Sequence, residues 1–223
     1  MGRRALRKID PSLDLSGQLK SFDDLPNPWD TGALFGKAAP LEIEVGSGKG
    51  LFMEHACGAH PERNFLGIEV AGKYARYCAA RLVKHRLRNG IMVHADALRV
   101  FRERLADACA QAVHVYFPDP WWKKRHHKRR VMTAPFLRDI ERVLSPSGTL
   151  HFWTDVEAYY HESLALIAQH TQLAGPQAVP EAPPAHDLDY RTHFERRKRQ
   201  EGLPIFRARF AKSAHTAVGA RAE

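Results

Sequence analysis

From residue 41 onward the chain alternates short apolar runs with stretches of helical period. The runs at 41–45, 64–68, 91–94, 111–117 and 149–153 predict strands. Segments 50–58, 72–87, 97–106 and 135–144 carry helical spacing between them, and Pro135 suits the first turn of the last. Ser145 to Gly148 predicts a turn. Val156, Tyr160, Leu164 and Ile167 fall at four- and three-residue spacings, one face of a further helix. Residues 204–211 alternate as a closing strand. This succession predicts βα units on a mostly parallel sheet flanked by helices.

The flanks differ. Residues 1–40 begin with Arg3, Arg4, Arg7 and Lys8 and continue through Pro26, Asn27, Pro28 and Gly32, which predicts a basic arm and loose lead-in outside the core. Asp10, Asp14, Asp23 and Asp24 argue against a transit peptide. Pro176, Pro180, Pro183 and Pro184 predict an irregular loop over 174–187. The division expected is an arm at 1–40, one α/β domain at 41–212 and a tail at 213–223.

Composition narrows the partners. The chain has 223 residues, 44% hydrophobic and 26% charged, enough for one packed core. A formal charge of +9 attracts polyanions, nucleic acid first and anionic membrane second. No apolar run approaches the roughly 18 to 20 residues that span a bilayer, so a soluble cytoplasmic protein is expected. Cys57, Cys78 and Cys109 are scattered and read as reduced, buried thiols. The 13 histidines form no HExxH and no spaced Cys/His cluster, so no metal is expected.

Candidate chemistry begins at Gly46-Ser47-Gly48-Lys49-Gly50, where the first of these strands turns into a helix and a ligand can back onto main chain. Leu51 breaks a dinucleotide fingerprint, and Gly50 stands where a Walker loop needs Ser or Thr. Glu44, on the last turn of that strand, repels a pyrophosphate but suits a cationic ligand such as S-adenosylmethionine. Glu69 ends the next strand, about 20 residues beyond the loop, where a carboxylate holds ribose hydroxyls. Asp96 follows the third strand, placed to accept from an adenine amino group, and Asp119 follows the fourth. Four acids at successive strand ends converge on the crevice where open α/β sheets bind ligands.

After Asp119-Pro120-Trp121-Trp122 come six Lys/Arg in the eight residues from Lys123 to Arg130. Tryptophans beside such a run combine base stacking with phosphate attraction, although either ring could instead pack beneath the loop. His126 and His127 are expected to hydrogen bond within the loop. Arg196 to Arg199 form a second basic run.

Asp119 to Arg130 matches DPWxKxRHxKRR, and the chain therefore resembles the bacterial tRNA (guanine-N7-)-methyltransferases. The resemblance extends through Glu44 to Gly50, Gly67-Ile68-Glu69, Asp96, Thr154-Asp155, Glu157, Tyr159, Thr192 to Glu195 and Gly202 to Ile205. It implies a Rossmann-like class I methyltransferase with a mostly parallel seven-stranded sheet. It further implies S-adenosylmethionine held by Glu44, Glu69, Asp96 and Asp119, with Asp119 also catalytic. Lys123, Asp155, Thr192, His193, Phe194 and Glu195 would contact tRNA, the target being guanine 46 of its variable loop. No membrane and no obligatory protein partner are expected. Val156 departs from the tryptophan common after Thr-Asp. Two rival readings remain at this stage: an exocyclic-amine methyltransferase, because Asp119-Pro120 begins an Asp-Pro-Pro-Tyr-like motif, and a non-catalytic RNA-binding subunit.

Overall fold

A computed structural model describes residues 6–179 and 192–214; the side chains of Lys124, His127, Lys128 and His193 are outside that description. Arg3 and Arg4 of the basic arm, Pro180, Pro183 and Pro184 of the proline-rich loop, and tail residues 215–223 lie outside the described residues.

Eight strands form one sheet in the order β1-β4-β3-β2-β5-β6-β8-β7. They are β1 (Leu19–Ser21), β2 (Leu41–Val45), β3 (Asn64–Glu69), β4 (Gly90–His94), β5 (Ala110–Tyr116), β6 (Leu144–Thr154), β7 (Ala174–Gln177) and β8 (Phe206–Ala211). All neighbours pair in parallel except β8, which runs antiparallel to both β6 and β7. The helices are α1 (Thr31–Phe35), α2 (Leu51–Ala59), α3 (Gly72–Lys84), α4 (Ala97–Glu103), α5 (Ala134–Val143), α6 (Glu157–His170) and α7 (His193–Gln200). Every residue of β2 is buried, as expected of a central strand covered on both faces. One buried cluster brings Val100, Phe101, Phe136 and Ile140 against the sheet, and a second gathers Phe52, Met53, Cys78 and Leu82 with Phe65 and Met92. Helices therefore cover both faces, and the chain crosses from β3 and β4 on one side of β2 to β5 and β6 on the other. That reversal opens a crevice at the C-terminal strand ends.

Three expectations need correction. The sheet has eight strands where seven were expected, because residues 19–21, inside the expected loose lead-in, pair with Met92 to His94. Leu15, Phe22 and Leu25 are buried, and Trp29, Leu34 and Phe35 pack against the main core. The guanidinium groups of Arg99 and Arg104 lie 3.6 and 4.1 Å from the Phe22 ring. Much of the lead-in is therefore core, built on an apolar set too sparse to show a period. The loop expected from residue 174 begins as β7, an edge strand that tolerates Pro176 because a strand edge needs no ladder donor there. Residues 145–148 do turn, but as an irregularity inside β6: Ala110 pairs with Leu144 and Ala112 with Thr149, with Ser147 at φ 63°.

Glu42 sits within buried β2 and is matched from neighbouring elements. His114 Nε2 lies 2.8 Å from its Oε2, and Arg63 bonds Oε1. Burial opposes the charge, but the His114 and Arg63 contacts prevail and hold this carboxyl at about 2. A cavity of about 290 Å³ adjoins this network, and no candidate site residue lines it.

Candidate methyl-transfer site

The glycine loop is shaped by positive φ at Gly46 (78°), Gly48 (52°) and Gly50 (71°), a region that side chains other than glycine enter at a cost. The Gly46 N–H donates to Ile68 O at 2.8 Å, tying the turn to the end of β3. A Cβ at Gly46 would meet nothing within 4 Å, so space lies open over the loop.

Glu69 holds this arrangement. Its Oε2 accepts from the Gly48 N–H at 2.9 Å and its Oε1 from the Ala71 N–H at 2.8 Å. The acid expected to meet a ribose therefore also fixes the loop that would carry the rest of the ligand. Asp96 has a similar double place: Oδ1 caps α4 by accepting from the Leu98 N–H at 2.9 Å.

Glu44 differs from both. It is 3% exposed, and its Oε2 has no hydrogen-bond partner among the described residues. Burial pushes the carboxyl up to about 8, with the Ser47 hydroxyl opposing and the Glu69 charge reinforcing the rise. An orphaned buried carboxylate oxygen beside an open loop is a ready partner for a cation.

Asp119 is exposed three residues beyond β5, on a chain held into a sharp path. Phe117 (φ 50°) and Trp121 (φ 44°) bracket it, the Phe117 N–H donates to Trp153 O at 2.8 Å, and Arg130 Nε donates to Pro120 O at 2.7 Å. Arg130 also pairs with Glu162 and lies 4.8 Å over the Tyr159 ring. It therefore pins the loop. Residues Lys124–Arg129 form a 3-10 helix, which the charge run did not reveal. Arg129 lies 5.0 Å over the Trp121 ring, and His126 meets that ring edge-on at 5.9 Å. The Arg125 Nε donates to His126 Nε2 at 3.3 Å, the hydrogen bonding within the loop expected for His126. The neighbouring Trp122 is 71% exposed, so the two tryptophans part company: one is held by the loop and the other faces solvent. Lys123 is exposed beside it.

A fifth strand-end acid, Asp155, follows β6, and its Oδ2 lies 2.9 Å from Lys198 Nζ on α7. Thr192 caps α7 by accepting from the Glu195 N–H at 2.9 Å. Phe194 packs on Phe117 at 5.0 Å, which joins α7 to the chain leading to Asp119. Glu195 is 2% exposed, with Arg199 and Arg207 each 3.5 Å from its Oε1. The second basic run is thus partly turned inward: Lys198 and Arg199 serve acids of the site. These pairings were missed because the run reads locally as a solvated face.

Glu44, Gly46, Gly48, Gly50, Glu69, Asp96, Asp119 and Asp155 all fall at or just beyond the C-terminal ends of β2 to β6. No described helix is long and apolar enough to cross a membrane, and no described group of three or more His, Cys, Asp or Glu is placed to hold a metal.

A family model described as "Putative methyltransferase" matches residues 38–208. Among solved structures, the 16S rRNA methyltransferase KamB superposes with a TM-score of 0.60 at 15% identity, covering 82% of this chain and 94% of that one. The antibiotic-resistance methyltransferase Kmr gives 0.57 at 20% identity over 84% and 93%. Both show the class I methyltransferase fold. A tRNA (guanine-N(7)-)-methyltransferase of Rhodopirellula baltica is 47% identical over 95% of this chain and 80% of its own length. One of the same name from Cupriavidus necator is 34% identical over 89% and 80%. Similarity of that degree along nearly the whole chain places it in a family: it belongs to the tRNA (guanine-N(7)-)-methyltransferases.

Proposed function

We propose that this protein methylates N7 of a guanine in the variable loop of tRNA, position 46, with S-adenosylmethionine as donor, and that it does so in the cytoplasm. The observation that carries the reading is the sharing of one sheet edge by the orphaned Glu44, the glycine loop and Asp119, with Asp119 opening directly into the basic loop.

The donor fits the residues present, since a buried carboxylate oxygen without a partner matches a cationic amino acid moiety. Glu44 with Gly46, Gly48 and Gly50 would hold that moiety, Glu69 the ribose and Asp96 the adenine edge. When bound, the donor supplies an electrophilic methyl group on a positively charged sulfur. Guanine N7 bears a lone pair and no proton, so this chain needs no general base. Its work is positioning: Asp155 accepts from guanine N1–H and the 2-amino group, and Lys123 contacts the substrate. Thr192, His193, Phe194 and Glu195 form the turn that closes the guanine side, with Glu195 acting from its buried place through Arg199 and Arg207. Asp119 orients the reactants and stabilises the positive charge as it moves onto the purine.

Methyl transfer from labelled donor to tRNA transcripts with and without the variable-loop guanine tests the reading. Labelling is expected only with the guanine, and equal labelling of both transcripts would reject the target.

Glu44 gives a pH signature. Without donor, the folded chain keeps a proton on this carboxyl between about pH 4.5 and 8 that the unfolded chain releases. Its contribution to stability therefore falls as pH rises through that window. A bound cation reverses the preference, so donor binding at pH 7 should release about one proton. Calorimetry in buffers of different ionisation enthalpy measures the release. Glu44→Gln should abolish it, and an unchanged proton count in that variant would exclude Glu44 as the source.

A further inference from the structure

Lys198 is the residue of the second basic run whose place the family assignment leaves unexplained. Its Nζ lies 2.9 Å from Asp155 Oδ2 and 5.3 Å from the centroid of the Phe194 ring, so it is held from two sides. Both members of the pair are partly open, with side chains 18% and 19% exposed, whereas nearby Glu195 is enclosed by arginines. Asp155 occupies one ammonium direction, and an ammonium has three donors.

We infer that Lys198 donates to O6 of the target guanine and, with Asp155, reads that base. The inference rests on the proposed contact between Asp155 and guanine. Guanine presents an acceptor, O6, next to two donors, N1–H and the 2-amino group. An ammonium hydrogen bonded to one end of a carboxylate presents a donor next to two acceptors, the complementary order that cytosine offers in a base pair. The pair is therefore assembled before the base arrives, and little ordering is left for binding. Adenine is rejected twice, because its 6-amino group would face the ammonium and its N1 would face the carboxylate without a proton.

The test uses tRNA carrying guanine, inosine or 2-aminopurine at the target, with wild-type protein and Lys198→Met. Inosine keeps O6 and N1–H and lacks the 2-amino group, whereas 2-aminopurine lacks O6 and carries no proton on N1, so the effect of Lys198→Met is read against wild-type protein on the same base. Losing a hydrogen bond to a charged group should lower kcat/KM of Lys198→Met on guanine about ten- to a hundredfold. On inosine the variant should lose as much, and on 2-aminopurine less than about threefold. Lys198→Arg should recover part of the activity on guanine. Donor affinity and the far-ultraviolet dichroism of Lys198→Met should match wild type, since Met keeps an apolar stem of similar length beside Phe194 and Lys198 pairs with Asp155, not with the acids assigned to the donor. An equal loss on guanine and 2-aminopurine would overturn the inference, as would a gain on guanine, which would make Lys198 a plug that the base displaces. Wild-type protein that binds donor but leaves the guanine transcript unlabelled would sink the parent reading and this one with it.

Discussion

Asp119→Ala is expected to lower kcat about 10²- to 10³-fold, the range seen when a group aimed at developing charge is removed. The fold should survive. Asp119 is exposed, and no hydrogen bond or ion pair among the described residues holds its side chain. The path of the loop is set by other groups: the Phe117 N–H on Trp153 O, the Arg130 bond to Pro120 O, and the Arg129 and His126 contacts with Trp121. Thermal unfolding should therefore move little while turnover collapses. Asp119→Asn separates charge from shape, because the amide keeps the side chain's size and an acceptor oxygen. If charge stabilisation dominates, Asn should be nearly as damaging as Ala; if orientation dominates, Asn should recover a large part of the rate. Single-turnover kinetics with saturating donor reads the chemical step directly. Near-normal turnover in the Ala variant would remove Asp119 from the reaction.

The parts of this site legible in the sequence are those written locally. A strand that runs into three glycines, Glu44 just before them and Glu69 at the next strand end are short-range signals, and the structure places them as expected. The five central strands and most helices follow from periodicity for the same reason. What sequence reading missed depends on partners far along the chain. Leu19 to Ser21 become a strand because Met92 to His94 offer an unpaired edge, a fact absent from the three residues themselves. Arg130 reads as one cation in a run until Pro120 O and Glu162 are seen to hold it. Lys198 lies 43 positions from Asp155, and nothing in Arg-Arg-Lys-Arg distinguishes it from its neighbours. Trp121 and Trp122 are the same residue in sequence, and only the backbone turn at Trp121 sends one ring under Arg129 and the other into solvent.

Gly50 carries the largest stability effect expected of a single methyl group at the site. Its φ of 71° disfavours any side chain by about 1–2 kcal/mol. A Cβ there would also stand 2.1 Å from Cys78 Sγ, 2.8 Å from Cys78 Cβ and 3.2 Å from Cys78 Cα. The sulfur belongs to a fully buried side chain in α3 and the last of these atoms is backbone, so relief requires α2 and α3 to separate. Overpacking of this kind adds about 1–3 kcal/mol, and Gly50→Ala should therefore destabilise the fold by roughly 2–5 kcal/mol. For a chain of this length that lowers the melting temperature on the order of 10 °C. Gly48→Ala is the control: its φ of 52° carries strain, but the added Cβ meets only Gly46 O at 4.0 Å, so about 1–2 kcal/mol is expected. Cys78→Ala in the Gly50→Ala background removes the sulfur and leaves Cys78 Cβ and Cα in the way, so rescue should be partial. Donor affinity should fall with stability in Gly50→Ala, because the same displacement unseats the loop that Glu69 ties to β3. Equal melting temperatures for Gly50→Ala and Gly48→Ala would show that α2 and α3 yield freely and that close approach at Gly50 is no constraint on the fold.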